Sequence, residues 1–129
     1  MKNKTTVLVV DDSPLVAPRV KSLLKNWEDT IIVGEAISNE EALAFMEDLL
    51  PDVVLLDLNI GGKSGLDLLK EIKLKYPAVS VIMFTNHAEP YYRTICLQFG
   101  ADYFIDKSIE FDQLPHTIHE VIHGAEKII

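Results

Sequence analysis

Four short apolar runs in this 129-residue chain each stop at a polar side chain of the kind that handles a phosphoryl group. Val7-Leu8-Val9-Val10 leads into Asp11-Asp12, Val53-Val54-Leu55-Leu56 into Asp57, Val81-Ile82-Met83-Phe84 into Thr85, and Tyr103-Phe104-Ile105-Asp106 into Lys107. Short continuous apolar runs read as parallel strands buried on both faces, whose carboxyl ends lie along one edge of one sheet. Three carboxylates, a hydroxyl and an ammonium then converge on one crevice. Open α/β sheets bind their ligands just outside the carboxyl ends of the strands.

Helix-like stretches alternate with these runs, and five βα units fit the length with no linker, low-complexity tract or repeat. Ser13 is a natural N-cap before Pro14, and Val16, Val20, Leu23, Leu24 and Trp27 recur at helical spacing. Pro18 removes an intrahelical bond if the helix starts there, so the first turn is expected to be distorted or the helix to start late. Ile31-Ile32-Val33 reads as the second strand. Ser38 and Glu41 form a capping box that opens a helix running toward Leu50, where Pro51 stops it. After Asp57, Gly61-Gly62-Lys63-Ser64-Gly65 reads as a flexible loop, followed by an amphipathic helix with Leu66, Leu69, Ile72 and Leu74 that ends at Tyr76-Pro77. Pro90 opens a fourth helix through Tyr91, Ile95 and Phe99 that Gly100 terminates. Its Tyr91 and Tyr92, beside Arg93, read as core and rim. The last helix buries Leu114, Ile118, Val121, Ile122 and Ala125, with Asp112 as its expected cap and Pro115 in its first turn.

Adjacent carboxylates at Asp11 and Asp12 repel each other, and Asp57 adds to that repulsion unless a cation sits between them. Oxygen-only ligands suit Mg²⁺, or Mn²⁺ in its place, which keeps waters and accepts a phosphate oxygen. A carboxylate is also a competent phosphoryl acceptor. The transferring group carries charge on its equatorial oxygens, so a metal, a cation and hydroxyl or amide donors are its required supports. Lys107 and Thr85 supply two of these. Each group alone has a plain structural reading, but four strand ends out of five carry one.

On these residues the chain resembles the receiver domain of two-component response regulators, over essentially its whole length. The motifs are Asp11-Asp12, the acceptor Asp57 in Val-Val-Leu-Leu-Asp-Leu-Asn, Thr85, Gly100-Ala101 and Lys107, separated by 45 positions from Asp12 to Asp57, 28 to Thr85 and 22 to Lys107. The resemblance implies a flavodoxin-like, doubly wound α/β fold, with a five-stranded parallel sheet in the order 2-1-3-4-5 and five helices. It implies that Asp57 is the phosphoacceptor, Asp12 a direct metal ligand, Asp11 a ligand acting largely through water, and Asn59 a ligand through its backbone carbonyl. Thr85 is similar to the switch hydroxyl, Lys107 to the ammonium that pairs with the phosphoryl oxygens, and Phe104 to an aromatic switch position that is otherwise a core Phe. Asn59 and His87, two beyond the acceptor and two beyond the switch hydroxyl, resemble the positions that tune dephosphorylation. Three departures stand out: Ser108 replaces the usual proline after the lysine, which favours a trans Lys107-Ser108 bond; Ile60-Gly61 replaces Met-Pro; and Asn86 replaces a small residue and is expected to narrow access to Asp57.

A net charge of −8, with 20 acidic against 12 basic side chains, opposes nonspecific binding to nucleic acid or anionic membrane. No leader or membrane-length apolar stretch is visible, so a cytoplasmic protein is expected. Ile128-Ile129 closes the fifth unit, which leads to the expectation of one stand-alone domain over residues 1–129. Cys96, the single cysteine, reads as a buried thiol. His116, His119 and His123 share a helical face, but with no acidic or cysteine ligand beside them that face reads as solvated or partner-contacting. The expected partners are a histidine kinase or histidine phosphotransfer protein upstream, and downstream a protein target bound through the fourth and fifth βα units. The alternative is a small Mg²⁺-dependent phosphatase with an aspartyl nucleophile, but Asp57-Leu58-Asn59 lacks the Asp-x-Asp that such enzymes use.

Overall fold

Side-chain alternation along the strands decides which helix packs where. In the computed structural model, which describes residues 4–124, Leu8 and Val10 of β1 (Thr5–Val10) enter one core while Val7 and Val9 enter another. The same alternation runs through β3 (Val53–Leu56), β4 (Ser80–Thr85) and β5 (Tyr103–Asp106). Successive residues of a strand face opposite sides of the sheet, so continuous apolar runs require helices on both. On one side lie Ala42 and Met46 of α2 (Asn39–Asp48), Leu68, Leu69 and Ile72 of α3 (Gly65–Lys75), and Cys96 of α4 (Pro90–Gln98). On the other lie Val16, Ala17 and Val20 of α1 (Val16–Leu23), and Leu114 and Ile118 of α5 (Leu114–His123). Burial of each large apolar side chain contributes roughly 1.5–3 kcal/mol, which is what holds the layers together.

All five strands are parallel, and β2 (Thr30–Ala36) takes one edge of the order β2-β1-β3-β4-β5. The expected doubly wound α/β fold is therefore the one observed. The order reverses direction between β1 and β3, whose last residues Val10 and Leu56 are paired; beyond them the chain leaves the sheet at Asp11 and Asp57. Among the described residues no helix is long and apolar enough to cross a membrane.

Several local expectations need correction. Ser13 does not cap α1, although the helix does start late, as Pro18 led one to expect, with Leu15 at the cap and no side-chain cap bond. Pro18 thereby falls in the first turn, where helical N–H groups have no intrahelical acceptor and its missing donor costs nothing. Trp27 lies beyond the end of α1, in the turn before β2, where its N–H donates to Leu24 O at 2.9 Å. The Gly61-Gly62 segment is a tight hairpin rather than a loose loop: Asn59–Ile60 pairs antiparallel with Lys63–Ser64, and the two glycines have φ of 58° and 80°. Consecutive positive φ angles at a two-residue turn explain why glycine occupies both sites.

Leu74 is 82% exposed, because it lies two residues beyond buried Ile72 and so faces nearly the opposite side of α3. Tyr91 and Tyr92 are exposed rather than core, and Cys96 alone is fully buried on α4. Asp112 does not cap α5; it lies within a 3₁₀ turn, Phe111–Gln113, that feeds the helix directly, although Pro115 does sit in the first helical turn. The capping box at α2 forms as expected, with Glu41 N–H donating to Ser38 Oγ at 3.0 Å and Glu41 Oε1 accepting from Ile37 N–H at 2.9 Å. Ala125 and Ile128-Ile129 lie outside the described residues.

Candidate functional site

Parallel register brings the groups named from the sequence to one edge of the sheet. Asp57 follows β3 and is anchored by its N–H to Val10 O at 3.2 Å, while Lys107 follows β5 and is anchored by its N–H to Thr85 O at 2.9 Å. The Lys107 ammonium spans the gap between strands, donating to Asp11 Oδ2 at 2.6 Å and to Asp57 Oδ2 at 3.3 Å. The second oxygen of each acid is held by backbone: Asp57 Oδ1 accepts from Leu58 N–H at 2.7 Å, and Asp11 Oδ1 accepts from Ser13 N–H at 2.9 Å. Burial pushes the Asp11 carboxyl above its ordinary value, against the lowering pull of the Lys107 and Ser13 hydrogen bonds, and the Asp57 charge adds to the rise.

Asp12 is turned toward the hairpin, where its Oδ2 accepts from Gly61 N–H at 2.9 Å. Thr85 is fully buried, and its Oγ1 accepts from His87 N–H at 3.1 Å. Asn59 and His87 line a cleft of about 460 Å³ together with Leu58 and with Tyr91 and Tyr92 of α4. Asn86 borders a second groove, of about 340 Å³, together with Ser13, Arg19, Lys107 and Ser108. Lys107 thus joins Asp11 and Asp57 directly, while Asp12 is held at the hairpin by Gly61 and the Thr85 hydroxyl by His87.

The contacts that Arg93, Glu110 and Asp106 make around the named positions were not read from the sequence. Phe104 is buried, 5% exposed, beneath the Arg93 guanidinium at 4.8 Å, and Arg93 also donates to Phe104 O at 3.2 Å and pairs with Glu110 at 3.5 Å. One arginine therefore ties α4 to β5 and to the loop that carries Lys107. That loop is trans at Lys107-Ser108, as no described peptide bond is cis. Asp106 Oδ1 accepts from Ser108 N–H at 2.8 Å and from Ser108 Oγ at 2.5 Å, a side-chain turn that shapes the loop without proline. The sequence carries the signal in Asp106-Lys107-Ser108, an Asp two residues before its own turn partner.

The histidine face is exposed at His116 and His119, as expected, but other elements border it. Trp27 packs edge-on against His116 at 5.0 Å, and Asp29 lies beside His119 and His123. Tertiary structure thus brings an acid from another element beside these histidines. Cys96 is buried as expected, and burial raises its thiol pKa.

The sequence profile of the response regulator receiver domain matches residues 7–119. Among curated relatives, the chain is 34% identical over 121 residues to the nitrate/nitrite response regulator protein NarL of Escherichia coli (strain K12), covering 92% of this chain and 55% of that protein. It is 31% identical over 122 residues to the response regulator GacA of Pseudomonas aeruginosa, covering 95% and 57%. The chain spans about half the length of these relatives. Among solved structures, the signal receiver domain of a putative Luxo repressor protein from Vibrio parahaemolyticus superposes with a TM-score of 0.85 at 29% identity, over 95% of this chain and 93% of that one.

Proposed function

The chain belongs to the response regulator receiver family, and from that premise we propose that it is a phosphorylation-dependent signalling receiver whose acceptor is Asp57. The observation that carries this reading is the Lys107 ammonium lying between Asp11 and Asp57, at 2.6 and 3.3 Å. A carboxylate pair alone repels an incoming phosphoryl group, and the ammonium supplies part of the positive charge that its equatorial oxygens require. Leu58 N–H holds one Asp57 oxygen, which leaves Oδ2 as the nucleophile. That oxygen forms the bond to phosphorus as the phosphorus–nitrogen bond of the donor breaks, and the electron pair leaves with the donor's imidazole. A phosphohistidine on a histidine kinase or phosphotransfer protein is such a donor.

The remaining charge is suited to a hard divalent cation. One ammonium is set against three carboxylates, of which it contacts two, and the ligand atoms these acids and the Asn59 carbonyl offer are all oxygen, the set preferred by Mg²⁺ and tolerated by Mn²⁺. Asp12, Asp57 and the Asn59 backbone carbonyl would hold the ion directly and Asp11 largely through water; Asp12 Oδ2 here accepts from Gly61 N–H at 2.9 Å. Bound there, it neutralises charge on the phosphoryl oxygens. Lys107 then shifts from the carboxylates to a phosphoryl oxygen, and the Thr85 hydroxyl exchanges its bond to His87 N–H for one to the phosphoryl group. Because His87 leads into α4, and Arg93 ties α4 to Phe104, that exchange is read out on the face built from α4, β5 and α5, where a protein target binds. Asn59 and His87 line one cleft, and from positions two beyond the acceptor and two beyond the switch hydroxyl they would orient or block hydrolytic water and so set the lifetime of the phosphorylated state.

This is a switch rather than a turnover enzyme; a phosphatase reading lacks the second acid two residues beyond Asp57. The net charge of −8 argues that this unit itself does not contact nucleic acid, and the same reading places it in the cytoplasm. Incubation with acetyl phosphate and Mg²⁺, followed by intact mass, tests the assignment. The wild-type protein gains a single phosphoryl adduct that Asp57→Asn does not. Undiminished labelling of Asp57→Asn removes Asp57 from the role.

A further inference from the structure

We propose that His119, His123 and Asp29 form a second metal site, for a borderline divalent cation of the Zn²⁺ class, separate from the strand-end carboxylates. One ligand atom from each of the three residues lies within 4.8 Å of the others. His119 and His123 are one helical turn apart on α5, with ring centroids 4.5 Å apart. Asp29 comes from far away in the sequence, and its position is fixed by backbone: Thr5 N–H donates to Asp29 O at 2.7 Å, and Thr30 N–H donates to Trp27 O at 3.1 Å. The turn that starts β2 is thereby stapled to β1, directly beside the last turns of α5. Asp29 Oδ1 accepts from Thr30 Oγ1 at 3.2 Å, which steadies the carboxylate. Trp27 lies behind the cluster, its ring 5.0 Å from that of His116 and 6.4 Å from that of His119.

The donor chemistry selects the ion. Two imidazole nitrogens and one carboxylate oxygen match Zn²⁺, Ni²⁺ or Cu²⁺, whereas Mg²⁺ prefers six oxygens. Ligand atoms around a tetrahedral ion with bonds of about 2.0–2.1 Å sit closer than 4.8 Å. Both His119 and Asp29 are exposed, so ordinary side-chain rotation closes the remaining gap. Three protein ligands leave a fourth position for water or for a donor from another molecule. Glu120, the neighbouring acid on α5, is engaged by the Tyr103 hydroxyl.

The site lies at the amino edge of the sheet, where Thr5 pairs with Thr30, on the opposite edge from Asp57. Ion binding would tie α5 to the start of β2 and would stabilise only the folded chain, since the three ligands assemble only there. The single tryptophan, Trp27, is a built-in reporter. NiCl₂ is titrated into chelator-stripped protein in the presence of millimolar Mg²⁺, with Trp27 fluorescence as the readout. Expected is saturable one-to-one quenching, reversed by EDTA and displaced by Zn²⁺. His119→Gln, His123→Gln and Asp29→Asn should each weaken binding by about tenfold or more, the least expected when even a residue behind the ligands is lost. His119→Gln should still be labelled on Asp57 by acetyl phosphate at the wild-type rate, which verifies its fold. Absence of saturable quenching, or an affinity indifferent to all three substitutions, overturns the site.

Discussion

Gly65 is the residue whose substitution most directly displaces the acceptor. It opens α3 with its N–H donating to Leu58 O at 2.7 Å. A Cβ at Gly65 would lie 1.9 Å from the Asp57 carbonyl oxygen, 2.9 Å from the Asp57 carbonyl carbon and 3.0 Å from Leu58 Cα. All three are backbone atoms, so no side-chain rotation relieves the overlap. The Asp57-Leu58 peptide must retreat by about 1 Å, and overpacking of this kind costs about 1–3 kcal/mol. For a domain of this size that lowers Tm by roughly 5–15 °C. The chemical effect should be larger in proportion, because a misplacement of about 1 Å at a reacting group costs on the order of 100-fold in rate. Gly34→Ala is the control: its Cβ would meet the Phe45 ring at 2.3 Å, in the β2–α2 layer and away from Asp57. Both variants should melt early, but only Gly65→Ala should lose initial labelling rate with acetyl phosphate and Mg²⁺, read by intact mass well below either Tm. Equal labelling rates in the two variants would refute the argument that Gly65 sets the position of the acceptor.

Lys107→Met leaves buried Asp11 facing Asp57 without its cation, and without divalent ions it should destabilise the fold by roughly 3 kcal/mol in chemical denaturation near neutral pH. Because burial already raises the Asp11 pKa, and losing Lys107 raises it further, stability is regained as pH falls through that raised value; the deficit relative to wild type should therefore be smaller at acid pH than at pH 8. Thr85→Ala should still accept phosphate, but with beryllofluoride it should show smaller amide-exchange changes across α4 and around Phe104 than the wild type does. Ser38→Ala removes the acceptor for Glu41 N–H and should cost about 1 kcal/mol in urea unfolding, with labelling of Asp57 unaffected.

Much of the site was legible in the sequence because strand ends are written in it. An apolar run that stops at Asp57 or Thr85 states both that the run is buried and that its last residue reaches the edge, and parallel pairing then brings separate edges together. The Ser38/Glu41 box is similarly local, since each partner lies within one turn of the other. What the sequence could not decide are contacts that depend on how the layers pack. The late start of α1 was legible in Pro18, but not that Leu15 rather than Ser13 would take the cap position. Cys96 was legible as buried, but only the docking of α4 on the sheet decides that Tyr91 and Tyr92, expected as core and rim, face outward. Arg93 reaches Phe104 and Glu110 from another βα unit, and Asp29 reaches the α5 histidines from nearly the other end of the chain. Hydrophobic period and turn chemistry are short-range properties of a chain, so they fix which elements form and where they end. Which side chains meet across those elements depends on helix rotation and docking, which only the packed tertiary structure decides.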